Sequence, residues 1–215
     1  LALVADAGHN LSDVLGLVMA WGATALARRR PSPRFTYGLR SSSILAALFN
    51  AVLLLVAVGA IIVESVRRLM DPSPVAAGVV IAVAAAGIVV NALTAWMFAS
   101  GRKGDLNIRG AYLHMAADAA VSLGVVVAAL VMMFTGWAWL DPVVSLIISA
   151  VIVAGTWGLL RDSTSMALHA VPPGLDLRAV EAQLLARPGV VRVHDLHVWS
   201  MSTTETALTA HLQIP

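Results

Sequence analysis

The sequence predicts an α-helical polytopic membrane protein followed by a small α+β domain. Three observations carry that expectation. Hydrophobic residues make up 59% of the 215 residues and charged ones only 12%, and the mean hydropathy of +0.85 lies well above that of soluble globular domains. Five apolar stretches each have the roughly 20 residues that cross about 30 Å of hydrocarbon as a helix. After Arg161 this character is lost, and the breaker cluster Val171-Pro172-Pro173-Gly174 opens a segment with a short amphipathic helix and strand-like alternation.

The first stretch, Leu1 to Leu26, is helical in pattern but starts without Met, a charged leader or a cleavage site, so a chain truncated at its start is expected. The other four run from Ile44 to Val66, Val75 to Ser100, Ala111 to Phe134 and Trp137 to Leu160. Trp21, Trp96, Trp137 and Trp139 fall near the predicted ends, where indole favours the headgroup region. Arg28, Arg29, Arg30, Arg34 and Arg40 follow the first helix, and Arg102, Lys103 and Arg109 follow the third. The opposite side has Arg67 and Arg68 in one connection and no cation in the turn 135–137. By the positive-inside rule the Arg-rich loops and the tail after Arg161 are cytoplasmic. The net charge of +2 and a pI near 9.7 reflect these loops. No basic stripe interleaved with aromatics suggests nucleic acid as a partner.

The tail is expected to form a helix from Asp176 to Arg187, with Leu177, Val180, Leu184 and Leu185 on one face, and strands over Val190 to Trp199 and Thr206 to Ile214. Residues 1–163 then form the membrane domain and 164–215 part of a cytoplasmic domain that stops in mid-fold. Counting outward from a four-residue turn of Met201 to Thr204 places Ser200 opposite Glu205, Trp199 opposite Thr206 and His194 opposite His211. Two imidazoles so opposed project from one face of the sheet and can share an ion.

Chemistry enters with His9 and Asp13 in the first apolar stretch and His114 and Asp118 in the fourth, each pair spaced i, i+4 on one helix face. One such pair arises by chance often enough to mean little; two inside hydrocarbon are harder to dismiss. A carboxylate at a helix centre in the bilayer costs about 2.5–3.5 kcal/mol or more without a partner. No Lys or Arg is near either Asp in those helices, so a cation from solution is the simplest partner. The chain has no Cys, which leaves imidazole and carboxylate as ligands and disfavours Cu(I). Two nitrogens and two oxygens suit tetrahedral Zn²⁺. A His-Asp pair that only joins helices, or a proton relay without metal, is the plainer alternative. Asp6 lies on the same stripe as His9 and Asp13 and can support the site or simply begin the helix. Asn50 and Asn91, inside predicted helices, are candidates for supporting positions or for interhelical hydrogen bonds.

Two further classes stay in view. A proton-coupled carrier of another solute would use the same ionisable groups without metal. An intramembrane metallohydrolase would need a base and an open position, but the chain has no His-Glu-x-x-His and Glu64 is the only Glu in a predicted span, near its end. An enzyme is therefore not expected.

The segments Val4-Ala5-Asp6-Ala7-Gly8-His9-Asn10-Leu11-Ser12-Asp13, Phe35-Thr36-Tyr37-Gly38-Leu39-Arg40, Leu113-His114-Met115-Ala116-Ala117-Asp118 and Val193-His194-Asp195-Leu196-His197-Val198-Trp199 resemble the cation diffusion facilitator family, most closely its zinc-transporting branch. The resemblance covers essentially the whole chain in order. It implies five helices of a six-helix bundle, followed by a partial ferredoxin-like cytoplasmic domain. It also implies a homodimer in the bilayer, in a bacterial cytoplasmic membrane, that exports divalent metal in exchange for protons. His9, Asp13, His114 and Asp118 match the family's transport-site positions. His194 and His211 match positions that bind regulatory or structural metal in relatives, with acidic partners further along, and His169 is a plausible additional ligand. The resemblance assigns His197 no role. Zn²⁺ is thus expected as the transported ion and as a regulatory or structural one. A His-rich loop found in some members has no counterpart in Gly101 to Gly110, which lacks His.

Overall fold

The structure is a computed structural model that describes residues 1–71, 77–99 and 106–214. Inside its helices, the side chains of Ser12, Asp13, Leu17, Ala20, Thr24, residues 106–111 and His114 lie outside the description. The elements run α1 (Ala2–Ala27), α2 (Ser42–Met70), α3 (Ala77–Ala99), α4 (Leu106–Thr135), α5 (Leu140–Ala167), α6 (Leu177–Leu185), β1 (Arg192–Ser200) and β2 (Thr206–Gln213). Helices α1 to α5 are long and apolar enough to cross a membrane.

Several helices outrun their hydrophobic stretches. α2 continues to Met70 through Glu64 and Arg68, whose carboxylate and guanidinium pair at 3.1 Å one turn apart, so charge supports the helix where it leaves hydrocarbon. α4 stops at Thr135, and Gly136 follows in the left-handed region, with φ +71, bonding its amide to the Met132 carbonyl. α5 opens on Leu140-Asp141-Pro142, a start that suits both an acidic side chain and a proline. It persists to Ala167 and closes as a Schellman turn: His169 adopts φ +58, its amide bonds Met166 O at 3.1 Å, and the Ala170 amide bonds Ser165 O at 2.9 Å.

The chain forms two compact units, and α1, α2 and α5 contribute to both. The first holds residues 1–14 and 53–156. Its core gathers Ala2 and Ala5 of α1, Leu54 and Val58 of α2, Val80 and Ala84 of α3, Val125, Ala129 and Met132 of α4, and Ile148 and Ile152 of α5. Small residues recur because close packing, rather than the hydrophobic effect, joins helices in lipid; Ser65, Ser122, Ser145 and Ser149 are fully buried there. The Ser65 and Ser145 hydroxyls donate to carbonyls one turn back. Val4, Leu11 and Val14 turn outward along α1 while Ala2, Ala5 and Asp6 are buried, so the helix has a lipid face and a polar inner face.

The second unit holds residues 15–52 and 157–215. Gly16 of α1 sits over the Asn50 amide of α2, where a Cβ would meet Nδ2 at 2.9 Å; Asn50 thus acts where two helices come close. The α1–α2 connection is built tightly. Ser32 and Phe35 exchange backbone hydrogen bonds, and the Gly38 amide donates to Phe35 O at 2.8 Å. Gly38 has φ +73, and a Cβ there would stand 3.3 Å from the Arg29 carbonyl oxygen. Gly38→Ala is therefore expected to destabilise the protein by about 1–2 kcal/mol, read as a lower Tm of the detergent-solubilised chain; an unchanged Tm would contradict this account.

Asp176 caps α6 by accepting from the Arg178 amide, as its side chain favours. β1 and β2 form an antiparallel hairpin, with α6 packed against β1. The expected register needs correction near the turn. Ser200 pairs with Thr206, Trp199 with Ala207 and His197 with Thr209, one residue off the expected partners, while His194 does face His211. The turn is longer by one residue because the Ser202 hydroxyl accepts from the Thr204 and Glu205 amides, and the Met201 and Ser202 amides reach the Glu205 carbonyl. A bulge between His194 and His197, with Asp195 at φ +55, restores the count.

Candidate metal centre

α1 and α4 position the membrane candidates. The helical backbone runs unbroken through 9–13 and through 114–118, so Asp13 lies one turn from His9, and His114 one turn from Asp118. Between the helices, His9 Nε2 stands 3.6 Å from Asp118 Oδ1. Asp118 is buried and His9 half-buried. That separation exceeds a good N–H···O hydrogen bond. It is close to the roughly 3.4 Å edge between two donors that each bind one tetrahedral Zn²⁺ at about 2.1 Å. The side chains of Asp13 and His114 lie outside the described residues, and among the described residues no group of three or more His, Asp or Glu is gathered as a metal cage.

Asp6 is more than a helix-start charge. It is buried, and its Oδ2 accepts from the Ser122 hydroxyl of α4 at 2.7 Å; its carbonyl accepts from the Asn10 side chain. Ser122 lies one turn beyond Asp118, so the Asp6 bond ties the same two faces that carry His9 and Asp118. Sequence reasoning passed over Ser122 because a serine in an apolar helix usually bonds its own backbone. Asn91 is buried in α3, and its Nδ2 has no hydrogen-bond partner among the described residues. Asp141, also passed over, is fully buried and accepts from the Ala2 amide at 3.1 Å, an anchor between α1 and α5.

On the hairpin, the bulge changes which residues share a face. Strict alternation would send His197 to the side of Val193; the extra residue instead leaves Val193 and Val198 buried and exposes His194 and His197. The His194 and His211 rings meet edge to face at 5.3 Å. Asp195 reaches His197 Nε2 at 2.9 Å and His211 Nδ1 at 3.7 Å. The His197 hydrogen bond and charge, with His211 and His194 behind them, hold the Asp195 carboxyl below the usual carboxylate range. Asp195 and His197 were missed as members of this group, since only the bulge brings them to it. For His169 the structure shows a capping role in the turn after α5, and no described contact links it to His194 or His211.

Residues 1–167 match the cation efflux transmembrane domain, and residues 172–215 match the cytoplasmic domain of cation efflux proteins. The cation efflux system protein CzcD of Alcaligenes sp. (strain CT14) is 39% identical over 212 residues, 99% of this chain and 67% of that protein. The cadmium, cobalt and zinc/H(+)-K(+) antiporter of Bacillus subtilis (strain 168) is 36% identical, covering 98% of this chain and 68% of the relative. Zinc transporter ZitB of Escherichia coli (strain K12) is 37% identical over 216 residues, 100% of this chain and 69% of the relative. With five membrane-capable helices among its described residues, a two-stranded segment in the region that matches the cytoplasmic domain and matches along almost its whole length, the chain belongs to the cation efflux family, the cation diffusion facilitators, as a multi-pass membrane protein.

Proposed function

We propose that this protein exports divalent metal, Zn²⁺ foremost, from the cytoplasm in exchange for protons at a site made by His9, Asp13, His114 and Asp118. The observation that carries this reading is the 3.6 Å approach of His9 Nε2 to Asp118 Oδ1 across two helices, a spacing that one tetrahedral ion can bridge. The names of the relatives, which include zinc, cadmium and cobalt, agree with such cargo. The family is one of transporters, so catalysis of a chemical reaction is not part of the reading.

The chemistry follows from the donors. Neutral imidazole and ionised carboxylate bind metal, and their protonated forms do not, so metal and protons compete for the same atoms. An empty, protonated His9 beside Asp118 forms an ion pair that offsets the cost of a buried carboxylate; an arriving cation takes the place of that proton. Asp6 and Ser122 hold the two helix faces in register while the occupant changes. The absence of thiolate keeps the ion exchangeable. Rearrangement of helices about a site in the membrane then alternates access. The working unit is a homodimer in a bacterial cytoplasmic membrane, with residues 1–163 as the transport domain and 164–215 in the cytoplasm. There His194 and His211, with Asp195 beside them, offer donors for a regulatory ion.

The test is metal-driven proton movement in proteoliposomes. Zn²⁺ added on the cytoplasmic side should move protons the opposite way, reported by a trapped pH dye, and His9→Ala should lose both fluxes together. Proton movement without Zn²⁺ flux, or Zn²⁺ flux untouched in the variant, would remove the reading. Replacing His9 with Asp exchanges a borderline nitrogen donor for a harder oxygen, and the ratio of Cd²⁺ to Zn²⁺ transport should change by about three-fold or more, rising by family resemblance. An unchanged ratio would place selectivity elsewhere.

A further inference from the structure

An arginine-rich cleft lies in the second unit, apart from any metal ligand. It encloses about 540 Å³ between the α1–α2 connection and the β1–β2 turn, lined by Arg28, Arg29, Arg30, Arg40, Ser43 and turn residues 202–205. Four arginines and one carboxylate line it, and the carboxylate is engaged: Arg40 Nη1 meets Glu205 Oε2 at 3.0 Å. Among the described residues, Arg28, Arg29 and Arg30 have no ion-pair partner. The cleft is a built feature rather than a loose loop. Gly38 packs on the Arg29 carbonyl, the Thr203 amide donates to Ser43 Oγ at 3.1 Å, and Ser41 Oγ donates to the Met201 carbonyl at 3.3 Å. Concentrated cationic charge with hydroxyl donors at one place is the recognition chemistry of a phosphate group.

Location selects the source of that phosphate. The cleft joins the last residues of α1 to the first of α2, two membrane-spanning helices, and includes the turn of the cytoplasmic domain; it therefore lies at the level of the cytoplasmic headgroups. Just inside the membrane from it, the helix ends expose Val18 and Trp21 on α1 and Leu45 and Phe49 on α2, an apolar surface for acyl chains. A soluble phosphate ester would have no use for such a surface. We propose that this cleft binds the phosphate of an anionic lipid headgroup, through Arg28, Arg29 and Arg30 on one wall and the Ser/Thr-rich hairpin turn on the other. A bound headgroup then holds the hairpin turn against the α1–α2 connection, so the cytoplasmic domain responds to lipid charge.

The experiment compares phosphatidylglycerol and phosphatidylcholine of equal chain length, each titrated into the full detergent-solubilised chain and counted by native mass spectrometry. Phosphatidylglycerol should bind preferentially, and its affinity should fall several-fold as salt rises from about 50 to 300 mM, which screens charge. The Arg28→Gln, Arg29→Gln, Arg30→Gln triple variant should bind it at least about ten-fold more weakly. The Arg67→Gln, Arg68→Gln variant, altered outside the cleft, should bind as the parent does. Equal binding of the two lipids, or undiminished affinity in a folded triple variant, overturns the proposal; should that variant fail to fold, the salt response of the unmodified chain decides. Binding of inorganic phosphate without phosphatidylglycerol overturns the lipid assignment. None of these readouts depends on metal transport.

Discussion

Asp118→Ala is expected to abolish metal efflux, with Zn²⁺ flux in proteoliposomes falling by at least about two orders of magnitude while the protein still folds. Asp118 is buried on α4, and its Oδ1 is the atom that faces His9 Nε2 at 3.6 Å. Removing it takes away one oxygen donor and the carboxylate that faces that imidazole. Loss even of an outer-shell partner commonly weakens a metal site 10–100-fold, and loss of a ligand that also carries the neutralising charge exceeds that. The fold should survive because α4 keeps its packing through Val125, Ala129 and Met132, and a carboxylate costs free energy to bury in hydrocarbon; Tm should fall little. Near-normal flux in the variant would take Asp118 out of the mechanism. A collapsed Tm would show instead that its role is to hold α1 to α4, and Asp118→Asn, which keeps the shape, would then separate the two.

Metal affinity is expected to drop steeply with acid. Two histidine ligands bind metal only when neutral, so Zn²⁺ binding should weaken by about ten-fold or more between pH 7.5 and 5.5. The sign is fixed by the donors: protonation removes the lone pair that metal needs, so affinity falls as pH falls and proton release accompanies binding. Calorimetry in buffers of different ionisation enthalpy would count the protons released. Affinity flat from pH 7.5 to 5.5, or binding without proton release, would contradict exchange through His9 and His114.

The hairpin shows how a correct expectation can rest on a wrong step. Simple counting from a four-residue turn placed His194 opposite His211, and those residues do pair. Yet the turn takes in Glu205, because the Ser202 hydroxyl gathers two amides there, and every pair from Ser200 to His197 is displaced by one. The bulge at Asp195 and Leu196 cancels the displacement. Alternation in the sequence could not announce this, since a bulge is a local exchange of ladder bonds for a left-handed residue, and Asp195 tolerates that conformation without being glycine. Its consequence is chemical: three imidazoles and a carboxylate come to one exposed face.

Local physics made the rest of the outline legible in the chain alone. Hydrocarbon accepts only backbone that satisfies itself, so five long apolar runs had to be helices, and i, i+4 spacing had to put His9 with Asp13 and His114 with Asp118 on single faces. Arginine placement gave an expected sidedness on a separate ground, charge against membrane potential and headgroup. Only the tertiary structure could decide which faces meet. The approach of His9 to Asp118, the Asp6 carboxylate on Ser122 and the arginine cleft closed by the hairpin turn each join residues more than 100 positions apart. Such contacts depend on how small residues let particular helices pack and on where a turn ends, and neither is written in the period of any one segment.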